Sequence, residues 1–142
     1  MQIGQVANVW REVMSEFVLT HSLGCLVSHL LTILSDIILA KQDIKASDAD
    51  IMVRLLTDLM ERLKDILTIN HVEVIHRVCE EPYFKMTEII FCLNASLAEI
   101  GHRWCEGKGP LAMWLKPEQV TKLVKALFQN TERRRELLSH IN

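Results

Sequence analysis

The sequence predicts an all-α fold, an antiparallel bundle of about five to six helices forming one domain over residues 1–142. Apolar residues recur at helical spacing along most of the chain, and strand-type alternation bounded by turn residues is hard to find. Glycine and proline number only five and three, so few positions punctuate the pattern. With 142 residues, 49% of them hydrophobic, the chain can bury about two-thirds of its unfolded surface, enough for a single core.

The first helix is expected from Val6 to about Lys41, as one rod or two nearly collinear ones. Val6, Val9, Trp10, Val13 and Phe17, then Val27, Leu30, Leu31, Leu34, Ile37 and Ile38, supply its apolar positions. Gly24 lies near its middle, where glycine costs up to about 1 kcal/mol relative to alanine, so a kink or a close helix crossing is expected there. The half beyond Gly24 is apolar nearly all round, the pattern of a helix with neighbours on several sides. Phe17 to Ala40 is the most membrane-like stretch. His21, His29, Asp36 and several hydroxyl residues make it expensive in hydrocarbon, so it reads as a core helix without direct membrane insertion.

Ser47 followed by Asp50 resembles a capping box ahead of a second amphipathic helix from about Asp48 to Leu67. Leu55, Leu56, Leu59, Leu63 and Ile66 are expected to face inward, and Asp58 with Arg62 to pair at i, i+4 on the outer face. The short connection between Lys41 and Ser47 predicts that the first two helices are antiparallel neighbours. Asn70 is expected to cap a short segment through Cys79, and Glu80 to Pro82 to break the pattern. One helix should then run from about Pro82 to Cys105, burying Phe84, Ile89, Ile90, Leu93, Leu97, Ile100 and Trp104. Gly107, Lys108, Gly109 and Pro110 end it. Pro117 opens the next helix, with Val120, Leu123, Val124, Leu127 and Phe128 inward, and Asn130 with Thr131 marks a stop and a new N-cap before Glu132 to Ile141.

Sixteen basic against eighteen acidic residues leave no global field for gripping nucleic acid or acidic lipid. Cys25, Cys79, Cys92 and Cys105 lack paired spacing, so reduced thiols in a cytosolic compartment are expected. His21, Cys25 and His29 share one helical stripe, but successive i, i+4 steps spread them over about two turns, too far for one metal ion. No nucleophile or phosphate-cradling motif is present, so no enzyme, metal or cofactor is expected. From Gly107 onward Lys108, Lys116, Lys122, Lys125, Arg133, Arg134 and Arg135 outnumber Glu118, Glu132 and Glu136. This is an ordinary solvated face, or a surface that docks an acidic partner protein. Trp104 continues the buried stripe, whereas Trp114, in a short irregular stretch, suits burial or partner contact equally.

Ala95, Ser96, Leu97, Glu99, Ile100, Gly101, Arg103 and Trp104, then Gly107 to Ala112, then Ala126 to Arg134, form an ordered set that resembles the C-terminal end of the Zeste White ten family. Upstream Trp10, Glu12, Val13, Met14, Leu23, Gly24, Asp43 and Ile44 follow the same family. The chain departs from the pattern at Trp114, Leu115 and Lys116, where small hydroxyl residues are usual, and at Arg135. The resemblance implies the C-terminal part of a longer rod of helical bundles that works as a non-enzymatic adaptor. It implies an α-solenoid partner, either Rod at kinetochores or the neuroblastoma-amplified protein at the endoplasmic reticulum. Zwilch and Rint-type subunits belong to the whole complexes, and dynein–dynactin is reached indirectly. Spindle checkpoint signalling and Golgi-to-ER vesicle tethering are the implied settings. Partner contact is then expected through the last helices, with Trp114 as an anchor and Lys125, Gln129, Arg133 and Arg134 around it. A structural end-cap of the rod is the alternative.

Overall fold

A computed structural model describes residues 2–141, with side chains at Glu12 and from residue 15 onward. The side chains of Val6, Val9, Trp10 and Val13, assigned above to the first helix, lie outside those described. The elements in order are α1 (Gln2–Ala40), α2 (Ala46–Ile66), the strands β1 (Thr68–Ile69) and β2 (Val72–Glu73), α3 (Ile75–Val78), α4 (Glu80–Asn94) and α5 (Leu97–Trp104). A 3-10 turn at Cys105–Gly107 leads to α6 (Pro110–Trp114), α7 (Pro117–Leu127) and α8 (Glu132–Ser139). The all-α class holds. The helices exceed the expected five to six because the segment expected from Pro82 to Cys105 is two helices and α6 forms where an irregular stretch was expected.

The centre of the bundle is α4, against which α1, α2, α3, α6 and α7 all pack. Its Met86, Ile89, Cys92 and Leu93 meet Leu31, Leu56, Ile100, Leu111 and Val124 in one buried cluster. Helices α1 and α2 were expected to be direct neighbours, yet they flank α4 and touch each other little. Their connection explains the difference. Ile44 is buried and its backbone N–H donates to the Ala126 carbonyl at 2.9 Å, which seats the link on the end of α7.

Gly24 marks a close crossing within a continuous helix. A β-carbon there would fall 2.0 Å from Val78 Cγ1, and the Cys79 thiol donates to the Gly24 carbonyl at 3.2 Å, so α1 lies directly on the α3–α4 corner. Val27, Leu31, Ser35 and Ile38 continue that inward face. The expectation of cover nearly all round fails, since among the described residues α1 packs mainly on α3, α4 and α7 and leaves Leu26, Leu30, Ile33 and Ile37 exposed.

In α2 the inward face is Ala49, Leu56, Met60 and Leu63, whereas Leu55 and Ile66 point outward at 66% and 54% exposure. Counting leucines therefore placed the stripe partly on the wrong side. The Ser47–Asp50 capping box does not form, because the helix already begins at Ala46 with Lys45 as its extended N-cap. Asp58 and Arg62 do pair, at 3.0 Å on the solvent side.

Asn70 does not cap a helix. It and His71 both take positive φ, 50° and 64°, forming the two-residue loop of a small antiparallel hairpin in which Thr68 faces Glu73 and Ile69 faces Val72. Pro82 does not break the chain, for it sits in the first turn of α4, where a missing N–H is harmless; the break falls at Cys79.

The helix expected from Pro82 to Cys105 divides at Ala95 and Ser96, both extended. Ser96 and Glu99 form a reciprocal cap. The Glu99 N–H donates to Ser96 Oγ at 3.2 Å and the Ser96 N–H donates to Glu99 Oε2 at 2.7 Å. The bond from the Ser96 backbone, followed by that with its side chain, holds the Glu99 carboxyl below its ordinary pKa. The bend lets α5 fold back over α4, where Arg103 Nε and Nη2 donate to the two carboxylate oxygens of Glu88 at 2.6 and 2.7 Å. Glu88 is buried, and the Arg103 guanidinium also lies 4.6 Å above the Phe91 ring. Hydrogen bonding to Glu88 raises the Arg103 pKa. Nearby, burial and then the Glu88 charge push the Cys92 thiol up to about 12.

Two experiments check this packing. Gly24→Ala should destabilise the domain by about 1–3 kcal/mol in chemical denaturation despite alanine's better helix propensity, and adding Val78→Ala should restore part of that loss. Alkylation of the native protein at pH 8 should modify the exposed Cys25 and Cys105 and spare the buried Cys79 and Cys92 until denaturant is added.

Candidate partner-binding surface

The last forty residues alternate tight turns with short helices, and each turn fixes where a charged side chain points. After α5 the backbone turns left-handed at Cys105, Glu106 and Gly107, with φ of 47°, 53° and 82°. Gly109 then passes so close to α5 that a β-carbon would sit 2.0 Å from the Arg103 carbonyl, while its N–H donates to the Trp104 carbonyl at 3.0 Å. Pro110 begins α6, so the glycine and proline run ends one helix and starts another.

Trp114 therefore lies on a helix, where an irregular stretch was expected. Its ring stacks on Phe84 of α4, centroids 4.9 Å apart and planes inclined by 20°, which leaves it half-buried. Met113 beside it is 71% exposed, and the sequence reading passed over it. Trp104 is buried, as expected.

Helix α7 starts at Pro117, and the Lys116 N–H donates to Gln119 Oε1 at 3.0 Å, so a glutamine three residues inside replaces a hydroxyl cap. Val120, Leu123 and Val124 are fully buried against the bundle. That face turns Lys122 and Lys125 to solvent, where with Lys41 they line a shallow cavity of about 330 Å³ at the end of α1.

Helix α8 is capped by Thr131, whose hydroxyl accepts from the Arg134 N–H at 3.3 Å. The Arg134 side chain turns back, and its Nη1 donates to the Phe128 carbonyl at 2.8 Å and the Lys125 carbonyl at 3.4 Å. Its charge thus closes the C-terminal end of α7, where carbonyls lack partners and the helix dipole is negative. Arg135 is tied to Asn130 at 3.3 Å and to Glu132 at 3.5 Å. Gln129 and Arg133 are exposed.

Between α5 and α8 runs an open cleft of about 740 Å³, floored by Leu97, Gly101, Phe128 and Leu137 and rimmed by Arg133, Glu136 and His140. Gly101 makes room for it, since a β-carbon there would press within 3.2 Å of Leu137 Cδ1. Of the five residues expected to contact a partner, Lys125, Gln129, Arg133 and Arg134 gather around the α7–α8 junction, and Arg133 alone of these lines the cleft. Trp114 is placed apart, against α4. The cleft itself was missed. Its one sequence signal was a glycine in the middle of an otherwise strong short helix.

Among the described residues no carboxylate lies within ion-pair distance of Lys122, Lys125 or Arg133, whereas Arg103, Arg62 and Arg135 are each paired. No group of three or more His, Cys, Asp or Glu side chains able to hold a metal ion occurs among them either. His21 and His29 are exposed along α1.

Residues 1–141 match the family model described as the ZW10 C-terminal helical domain. A Caenorhabditis elegans protein named centromere/kinetochore protein zw10 homolog is 31% identical over 141 residues, which is 99% of this chain and 18% of that protein. The Rattus norvegicus homolog is 31% identical over 147 residues, and the Drosophila melanogaster centromere/kinetochore protein zw10 is 28% identical over 140; each alignment takes in 99% of this chain and 19% of the relative. The chain thus spans less than a fifth of the length of these relatives. A family match along all but the last residue, on a fold that is helical as the match requires, establishes that this chain belongs to the ZW10 C-terminal helical domain family.

Proposed function

We propose that the domain is a non-enzymatic docking module of a kinetochore scaffold, and that it holds an α-solenoid subunit through the surface formed by α7, α8 and the α5–α8 cleft. The kinetochore setting is suggested by the names its relatives carry. The observation that carries the docking role is the pairing of cations with an apolar floor: Arg133 on the rim of the cleft, Lys125 and Lys122 along the adjoining helix, and no carboxylate within ion-pair distance of them among the described residues. Exposed cations steer an acidic partner and set its orientation, while the recessed Leu97, Phe128 and Leu137 give its apolar side chains somewhere to bury. Gln129 adds a neutral hydrogen-bonding group beside them. Trp114, stacked on Phe84, contributes from a separate edge together with Met113. Arg134 supports the surface from behind by capping α7.

The family resemblance supplies two solenoids for the role, Rod at the kinetochore and the neuroblastoma-amplified protein at the endoplasmic reticulum. Vesicle tethering is part of the proposal on that ground alone. A second reading, a structural cap without a partner, is favoured by the complete burial of Val120 and Val124, because losing them with this end of the chain would uncover the apolar faces of α1 and α4 on which α7 packs.

The two readings part on charge reversal. Lys125→Glu with Arg133→Glu should weaken capture of a Rod-type solenoid by about tenfold or more while circular dichroism stays native. Undiminished capture by a folded variant would favour the structural cap. Arg134→Glu should behave differently, lowering thermal stability because it unseats the end of α7.

A further inference from the structure

The exposed side of α1 carries a pattern that the rest of the bundle does not use. Leu19, Leu26 and Ile33 are seven residues apart, and Leu23, Leu30 and Ile37 repeat with the same period between them. Alternating steps of three and four are the a and d positions of a heptad, the spacing with which one helix seats the knobs of another. Leu23 is half-buried, and the other five are 39–67% exposed. The inward face, Gly24, Val27, Leu31 and Ile38, is a different stripe of the same helix. Upstream the register reaches Glu16 and Glu12, both exposed, which end the seam after about five turns.

A contiguous apolar stripe of this length on a soluble domain marks a contact surface. Ser15–Ala40 is long and apolar enough to cross a bilayer by length and composition, but its other side is committed to α3, α4 and α7, and insertion would tear it from them. We infer that the seam receives an α-helix with its own apolar heptad face, about eighteen residues long, contributed by the part of a ZW10-type polypeptide that precedes this domain. The matched region is the C-terminal helical domain of relatives whose remaining length is about four-fifths of the protein. In those relatives the polypeptide enters the domain through α1, the helix that bears the uncovered seam, and consecutive elements usually pack together. The inference is independent of the docking role proposed for α7 and α8.

The test uses the double substitution Leu26→Gln and Ile33→Gln, which removes the seam without adding charge. Amide hydrogen exchange over residues 19–37 is compared in residues 1–142 and in the complete gene product. In the complete product the substitutions should speed exchange by about tenfold or more, because the helix loses its cover; in residues 1–142 the change should stay below about threefold. Equal effects at both lengths, or a complete gene product that begins at Met1, would overturn the inference. So would sedimentation of residues 1–142 at twice 16.4 kDa in a form that the substitutions split, which would give the seam to a second copy. Flotation of residues 1–142 with phosphatidylcholine vesicles, abolished by the same pair, would give it to a membrane instead.

Discussion

A helix of fifteen residues that must offer contacts to five other helices has almost no side left for water, and α4 is under that constraint. Its one deeply buried charge, Glu88, is tolerable only because Arg103 reaches it with two parallel hydrogen bonds. That requirement propagates. Arg103 must come from above, so α5 has to fold back on α4; the chain therefore has to bend at Ala95 and Ser96, and the cap of Ser96 on Glu99 makes the bend a clean helix start. From the end of α5 the left-handed turn at Cys105 to Gly107 delivers α6, and α6 returns to α4 through Trp114 and Phe84. The α6 end of the domain is thus positioned by a carboxylate in its interior.

Long periodic stretches were legible in the sequence, and the places where periodicity is silent were not. Helices α1, α2 and α7 lie close to where apolar spacing put them, and Pro117 and Thr131 mark helix starts as their backbone and side-chain chemistry demands. The hydrophobic pattern runs straight through the bend between α4 and α5, because both helices bury a face in the same core. Only the Ser96-x-x-Glu99 spacing betrays the break, and it was read as part of a longer helix. The hairpin around Asn70 is too short to show alternation. Its sign was two adjacent residues, asparagine and histidine, that tolerate positive φ better than most. Which face of α2 turns inward could not be counted from leucines, since Leu55 and Ile66 are as apolar as those that are buried.

The surface residues were located by composition and sorted by geometry. A run of three arginines, Arg133 to Arg135, looks uniform in the sequence, yet each has a different fate. Arg135 is held by Asn130 and Glu132, Arg134 is spent on the carbonyls that end α7, and Arg133 alone faces the cleft. Charge counting could not separate them, because the distinction depends on which side of a two-turn helix meets the preceding one. The likeness to the Zeste White ten family, carried by the same residues, extends along residues 1–141.

The bond from the Ile44 amide to the Ala126 carbonyl joins positions 82 residues apart in the chain. A polypeptide leaves the ribosome from its N-terminus, so α1, α2 and the link between them are made well before the residue that receives them. Until α4 and then α7 are made, the nascent domain must carry long apolar helices whose seat is incomplete. The link can settle only when α7 has cleared the exit tunnel, so the interval between the making of α2 and of α7 is when this fold has most need of a chaperone.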